Sequence, residues 1–572
     1  MNRKERRAQR HADASSTTPA PRTAGDLLQQ ARTHQARGEW NAAVAAYKRL
    51  LAAQPDFIPA HEGLIAACLA QGRRDAASEQ AAALAAAAPQ TLSQFAMIVA
   101  RLKALVPELA AAMADASVQA GRVPAAILTN PFLRMVLEST VVRDAALERW
   151  LTALRASLLL DVVTPGKPAE GALPGFSGSL ARQCFLNEYV FSRSAAEIAA
   201  LDALRARLTA AFAAGQPVEP IALLAYAAYE SLGAAPFAQA LMERSWPPAL
   251  HAVIAQQVTE PREERALMAA IPRLTPIGEG VSAAVREQYE ENPYPRWVRL
   301  ASPPAVPFAL DDYLRLFFPA APFRPVGASG RLDVLVAGCG TGRHALELAQ
   351  SFRGAHVLGV DLSLASLAAA QRRVPPHLAG KVEFAQADIL AIGAIDRCFD
   401  FISAGGVLHH MDDPLAGWRE LLKLLKPDGV MQVGLYSLLA RKEIIEARAM
   451  IAAQGYRPVP DDIRRLRDDL RAKGEKRPFM ELDDFFAMSD CRDLLFHVHE
   501  RQITIPQIKA FLAANGLNFI GFQFSPPEAH EHYRALFARQ GWSARDLDCW
   551  DRFERSEPQL FAGMYVFWVQ KA

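Results

Sequence analysis

The sequence has few cysteines, and they keep apart: six in 572 residues, at positions 68, 184, 339, 398, 491 and 549, with no C-x-x-C pair and no Cys/His spacing that a tetrahedral zinc site needs. That excludes a disulfide scaffold and a zinc module. It also lacks charge of one sign. Lys and Arg total 63 against 61 for Asp and Glu, a formal +2, so there is no broad basic field to grip a phosphate backbone and nucleic acid is a poor partner. No long apolar run is present either. The longest uncharged stretch, Gln80 to Ala100, is rich in alanine and diluted by Gln, Ser, Thr and Pro89, which argues against a membrane span. The opening MNRKERRAQR carries five basic side chains and no apolar core, so it does not read as a secretory signal, and a cytoplasmic location is expected.

What is present is length and ordinary globular composition. At 572 residues, 51% hydrophobic and 22% charged, the chain should fold into two to four units. Residues 1–22 mix basic residues with Ser, Thr, Ala and Pro and read as a disordered basic tail. From there the sequence repeats: Gly38 and Gly72, Ala43 and Ala77, Pro55 and Pro89 each lie 34 residues apart. That period, with Gly in a turn, a small residue at a close helix contact and Pro closing the second helix, resembles the tetratricopeptide (TPR) hairpin. It places TPR-like helical repeats over 23–90, the second copy weaker because Ala81 stands where the first has Tyr47. Two repeats are a short array that needs a cap. Helix-spaced apolar residues over 91–270 predict an all-helical region to supply it. Proline density rises over 271–330 (PRLTP, ENPYPRW, SPPAVPF), predicting an extended, stiff lead-in to a further domain at 331–572.

The chemistry concentrates in that last domain. RLDVLVAGCGTGRHALELA (331–349) reads as a short strand, a glycine-rich loop and a helix. A dinucleotide fingerprint would want Gly or Ala at 343, where Arg343 stands, and the Gly-Lys-Ser/Thr of a P-loop is absent. AHVLGVDLS then sets Asp361 at a strand end 19 residues after Gly342, close to where a doubly wound sheet offers a carboxylate to ribose hydroxyls. KVEFAQADIL, FDFISAGGVLHHMDDP and LLKPDGVMQVGLYS supply a third, fourth and fifth strand in order. Taken singly, such glycines serve tight packing and such aspartates cap helices; their joint occurrence in order is what carries weight.

G-x-G-x-G after an apolar strand resembles motif I of the class I S-adenosylmethionine-dependent methyltransferases. The resemblance implies an α/β Rossmann-like domain with a mostly parallel seven-stranded sheet and an antiparallel C-terminal edge, S-adenosyl-L-methionine as cofactor, and methyl transfer to a small-molecule or protein acceptor. It implies that Gly338, Cys339, Gly340 and Gly342 pass beneath the cofactor and that Asp361, with Leu362 beside it, holds the ribose. Asp388 would accept from the adenine amino group, Ile389 would offer its amide, and Gly405 would lie in the loop after the fourth strand. Helical, charged sequence from 438 to 505 reads as an inserted lid over the acceptor. VREQYEENPYPRWV and DCRDLLFHVHERQITIPQIKAFL resemble a bacterial group that joins TPR repeats to such a domain.

His409 and His410, after the fourth strand, are the candidate catalytic bases, or else groups that shape the acceptor pocket. Asp412 and Asp413 before Pro414 read as a turn and helix cap. His497, His499 and Glu500 would put both imidazoles on one face of a strand; no third ligand is evident, so no metal is expected. Tyr289, Tyr294 and Trp297 could close over the cofactor or pack on the sheet. ENPYP precedes motif I and differs in order from the Asn-Pro-Pro-Tyr tetrapeptides of amino-methylating enzymes, which disfavours a nucleobase acceptor. The rival reading is a TPR-based interaction scaffold, binding a peptide or protein partner, whose cofactor domain is vestigial; a dehydrogenase is disfavoured by Arg343.

Overall fold

Gly38 and Gly72 turn the chain between paired helices with φ of +72° and +71°, the left-handed conformation glycine adopts without a Cβ clash. The computed structural model describes residues 23–115, 118–164, 173–327, 330–474, 477–524 and 528–572; the basic tail 1–22 lies outside them. Helices Ala24–Ala36 with Trp40–Ala53 and Ile58–Ala70 with Arg74–Ala87 form the two repeats. Ala43 and Ala77 are wholly buried where the paired helices approach. Tyr47 lies against Gly63, where a Cβ would stand 2.1 Å from its ring, and its hydroxyl donates to Gln35 (2.7 Å). The weaker second copy folds like the first.

The chain divides into two compact units. The first runs to Asp115 and includes Val123–Val136; the second contains Leu137–Ala572. The division falls inside the helical stretch 91–270, because amphipathic helices declare which face is buried but not against what. In the second unit, Asp144 and Ser194 cap the long helices Ala145–Val163 and Ala195–Ala213 by accepting from backbone amides three residues on.

Seven strands form one sheet: β1 Leu332–Ala337, β2 Ala355–Asp361, β3 Val382–Gln386, β4 Phe399–Ala404, β5 Leu425–Leu435, β6 Leu517–Phe522 and β7 Tyr565–Lys571, in the order β3-β2-β1-β4-β5-β7-β6. β1 to β5 are parallel, and β7 runs antiparallel to both its neighbours. Alternate side chains feed two cores: Val334 and Val336 of β1 face one, Leu335 and Ala337 the other. Both faces are therefore covered, as a parallel sheet requires. The order reverses at β1, between β2 and β4, and opens a crevice at the carboxyl ends of those strands.

The proline-rich stretch 271–330 differs from the expected stiff connection. It holds helices Val281–Glu291 and Leu310–Phe317, and its start bonds to the edge strand β3, Gln386 N–H donating to Pro272 O (2.8 Å) and Leu274 N–H to Gln386 O (2.9 Å). Prolines here mark joints between short elements. The insertion after β5 leaves and returns at one point, where Leu438 N–H donates to Ile503 O and Ile503 N–H to Tyr436 O. Between lie helices Lys442–Ala453, Pro460–Ala472 and Met488–Phe496. Among the described residues no helix is long and apolar enough to cross a membrane.

Candidate functional site

β1 stops at Ala337 because three glycines follow within five residues. A Cβ on Gly340 would stand 2.3 Å from the Tyr294 carbonyl oxygen, so the loop meets the lead-in segment backbone to backbone. Thr341 N–H donates to that same carbonyl (3.1 Å), and the Trp297 indole N–H reaches Thr341 O and Oγ1 (3.1 Å each). Trp297 thus braces the loop from outside, against a separate cavity of about 740 Å³.

Inside the crevice is a cavity of about 670 Å³. Gly338, Cys339, Gly340, Asp361, Leu362, Asp388, Ile389, Gly405 and His410 all line it; Gly342 and His409 do not. Gly342 serves packing, since a Cβ there would lie 2.5 Å from that of Ala370 and 2.9 Å from the Phe384 ring. It lets the helix Arg343–Ser351 start close to the sheet.

The two carboxylates, Asp361 at the end of β2 and Asp388 two residues past the end of β3, are held by backbone amides. Asp361 accepts from Gly340 N–H (2.8 Å) and Ser363 N–H (2.9 Å); burial pushes its pKa up, against the lowering effect of those donors. Asp388 accepts from Leu390 N–H (2.9 Å) and from Gly278 N–H (3.0 Å) of the proline-rich segment. That segment also sends Tyr289 and Tyr294 to the cavity wall, and Glu290 accepts from the first amides of helix Leu364–Arg372 (2.7 and 2.9 Å). Tyr289 and Tyr294 were legible as candidates for this place; the helix Val281–Glu291 that carries Tyr289 and Glu290 was not, because the surrounding prolines mask it. Arg343 is the one Lys or Arg among the cavity's described lining, and it is paired with Glu347 (2.9 Å).

The two adjacent histidines part company. His409 is buried on Tyr436, ring centroids 4.0 Å apart, and its Nδ1 has no hydrogen-bond partner among the described residues. Burial, then the neighbouring His410, Arg441 and His497, holds its pKa well below the usual imidazole value. His410 faces the cavity, with Nδ1 3.1 Å from the His499 carbonyl oxygen; burial lowers its pKa, while Asp493 and Glu500 oppose that effect. Asp413 caps the helix Pro414–Lys423, accepting from Leu415 N–H.

His497 and His499 do not share a strand face: His497 follows the helix Met488–Phe496. Its ring stacks on His410, centroids 3.8 Å apart and planes 19° apart. The expectation that no third ligand lies nearby is corrected too. One ligand-type atom each from His410, Asp493 and His497 lies within 4.8 Å of the others, and all three residues are buried. The missed residue is Asp493, one helical turn before His497; that i, i+4 spacing was the available signal.

Residues 334–429 match the family described as methyltransferase domain, and residues 34–102 match tetratricopeptide repeat. The chain is 28% identical over 267 residues to an uncharacterized protein of Synechococcus sp., covering 43% of this chain and 60% of that one. It is 27% identical over 150 residues to phosphoethanolamine N-methyltransferase 2 of Caenorhabditis elegans, covering 26% of this chain and 33% of the nematode protein. It is 29% identical over 192 residues to the ubiquinone/menaquinone biosynthesis C-methyltransferase UbiE of Syntrophotalea carbinolica, covering 31% of this chain and 77% of that one. The chain thus spans 60% or less of the length of the first two.

Proposed function

Since this chain carries a methyltransferase domain joined to tetratricopeptide repeats, we propose that it is an S-adenosylmethionine-dependent methyltransferase whose cofactor lies in the 670 Å³ cavity at the β1–β4 crevice. The observation that carries this is the pair of carboxylates, Asp361 and Asp388, in one cavity with the bare backbone of Gly338, Gly340 and Gly405. The residues fit such a group. Two carboxylates suit hydroxyl and amino hydrogens, Leu362, Ile389 and Leu390 offer an apolar side, and the paired Arg343 leaves no cation waiting for a pyrophosphate. A Cβ on Gly405 or Gly406 would meet nothing within 4 Å, so the loop after β4 leaves open space.

Bound there, S-adenosylmethionine supplies an electrophilic methyl group on a sulfonium. The chain supplies position. Asp361 accepts from the ribose hydroxyls, Asp388 from the adenine amine, Ile389 donates its amide, and the faces of Tyr289 and Tyr294 favour a cation. The same cavity is lined by Met411, Asp412 and Met564 beside His410, which are the residues left for the acceptor, a small molecule or a protein. Alignment within this wall is the main source of acceleration. His410, not His409, is the base, because it alone of the two reaches the cavity. The repeats hold a peptide or protein partner in the depression lined by Arg32, Tyr47, Ile58 and Glu62.

Incubation of the full chain with methyl-labelled donor and a cell extract tests this reading. Label should pass to one fraction, small-molecule or protein, and Asp361→Ala should abolish most of the transfer while leaving the circular dichroism unchanged. Transfer that is indifferent to Asp361→Ala would contradict it.

A further inference from the structure

Three ligand-type atoms within 4.8 Å, from His410, Asp493 and His497, pose two alternatives: a divalent cation or a proton-handling network. The directions of the hydrogen bonds separate them. His499 N–H donates to His497 Nδ1 (3.0 Å). A backbone amide is only a donor, so that nitrogen bears no proton and the neutral ring carries its proton on Nε2. Nε2 of His497 therefore faces the Tyr289 hydroxyl (3.3 Å) and Asp493 (3.8 Å) as a donor, with no lone pair for a metal. His410 is the reverse. Its Nδ1 meets the His499 carbonyl (3.1 Å), only an acceptor, so the proton sits on Nδ1 and the lone pair on Nε2. One residue, His499, sets both tautomers, through its N–H on one ring and its C=O on the other.

Tyr289 completes the chain, accepting from His497 and donating to Asp493 Oδ1 (2.7 Å). The charged groups around His410 come from three elements. Helix Lys442–Ala453 brings Arg448, the segment after Met488–Phe496 brings Glu500, and that helix itself brings Asp493; His409 and His497 are the neighbouring imidazoles. Glu500 is already met by Arg441 (3.0 Å) and Arg448 (2.8 Å). Asp493 has no Lys or Arg within 4.0 Å among the described residues, which leaves it as the carboxylate that answers a charge on His410.

We propose that the lid delivers Asp493, held by Tyr289 and His497, as the electrostatic partner of His410, and that the site therefore takes a hydroxyl acceptor whose proton goes to His410 Nε2. This rests on the cofactor reading above. As the acceptor's O–H bond breaks, its oxygen forms the new bond to the methyl carbon, the carbon–sulfur bond breaks, and the sulfur leaves as a neutral thioether. One positive charge thereby moves from sulfonium to imidazolium, next to Asp493. An amine that arrives already neutral attacks through its lone pair and needs no base; a hydroxyl arrives protonated and sheds that proton as it attacks, which is the need His410 meets. Asp493 and Tyr289 are positioning residues, acting through His410.

Long-range ¹H–¹⁵N spectra of the full chain labelled at histidine read both tautomers directly, with His410→Gln and His497→Gln for assignment. The expected result is Nδ1–H at His410 and Nε2–H at His497, a titration of His410 that Asp493→Asn lowers by about one pH unit or more and Asp493→Glu restores, and no change on adding one equivalent of Zn²⁺. Nε2–H at His410, an unmoved titration in Asp493→Asn, or stoichiometric Zn²⁺ binding overturns the proposal. The tautomers are read on the unaltered chain, so the outcome does not hinge on a variant folding. Transfer of a ¹³C-methyl group into extract supplies the acceptor class: an O-methyl carbon shift is expected, and an N-, S- or C-methyl product overturns it. Calorimetry with S-adenosylmethionine on the same sample separates the failures, since loss of cofactor binding defeats the cofactor reading and leaves the tautomers as measured.

Discussion

Gly340 has room for a hydrogen and no more. With φ at +50° and the Tyr294 carbonyl 2.3 Å from where a Cβ would stand, Gly340→Ala must move backbone against backbone. We expect a loss of about 1–3 kcal/mol of stability in chemical denaturation, with weaker cofactor binding. His497 makes a prediction about acid. Burial, then the neighbouring His410, depresses its pKa from 6.5 to about 2. Above pH 6.5 it is neutral folded or unfolded; below that the unfolded chain takes the proton and the folded chain does not, so stability falls until the pH nears 2. The wild type should therefore lose stability relative to His497→Gln by about 1.4 kcal/mol per pH unit below 6.5. Parallel acid curves for the two proteins would contradict the buried neutral ring. At this scale the sequence was most legible where chemistry is local: Asp361 ends β2, Asp388 lies two residues past β3, and each meets an amide two residues on. It was least legible where distant segments meet. Nothing in LHHMDD says which histidine faces the cavity, and nothing in DLLFHVHE says that His497 stacks on His410.

The proline-rich wall lines the crevice directly, whereas the insertion 438–505 adds no residue to the described lining and meets the site from behind, through His497 on His410 and Asp493 on Tyr289. The insertion was legible as helical from its apolar spacing, but its anchor was not. Glu148, in the helix Ala145–Val163, receives Arg467 (2.9 Å) and Arg471 (2.9 Å) from the lid helix Pro460–Ala472, with Glu148 and Arg467 almost wholly buried. Although burial alone would raise it, the two guanidinium groups hold the Glu148 pKa below the ordinary carboxylate value. Removing one member of a buried pair strands the other charge. Glu148→Gln should cost about 3–5 kcal/mol in denaturation and expose the lid helices in hydrogen exchange; retained protection over 460–472 would show that the lid stands without this anchor. Proline density over 271–330 predicts a stiff, extended connection, and the stretch holds helices instead. Its prolines sit around two short helices, and the backbone on either side of the first, at Gly278 and Tyr294, bonds Asp388 and Thr341.

For the whole molecule, period and order in the sequence marked the 34-residue repeat of the first helices and the five strand–loop units of the parallel sheet, while the antiparallel edge followed from the resemblance to class I methyltransferases alone. The division between the two units, near residue 137, had no comparable signal. The cavity at the β1–β4 crevice is where Asp361, Asp388 and His410 come together, and it is the proposed cofactor site. Titration calorimetry of the full chain with S-adenosylmethionine, beside Asp361→Ala and Asp388→Ala, tests that most directly. The account predicts micromolar binding at one site, weakened tenfold or more by either substitution, about 1.4 kcal/mol. A folded wild type that takes up no S-adenosylmethionine would contradict it and leave the helical repeats as the working part of the protein.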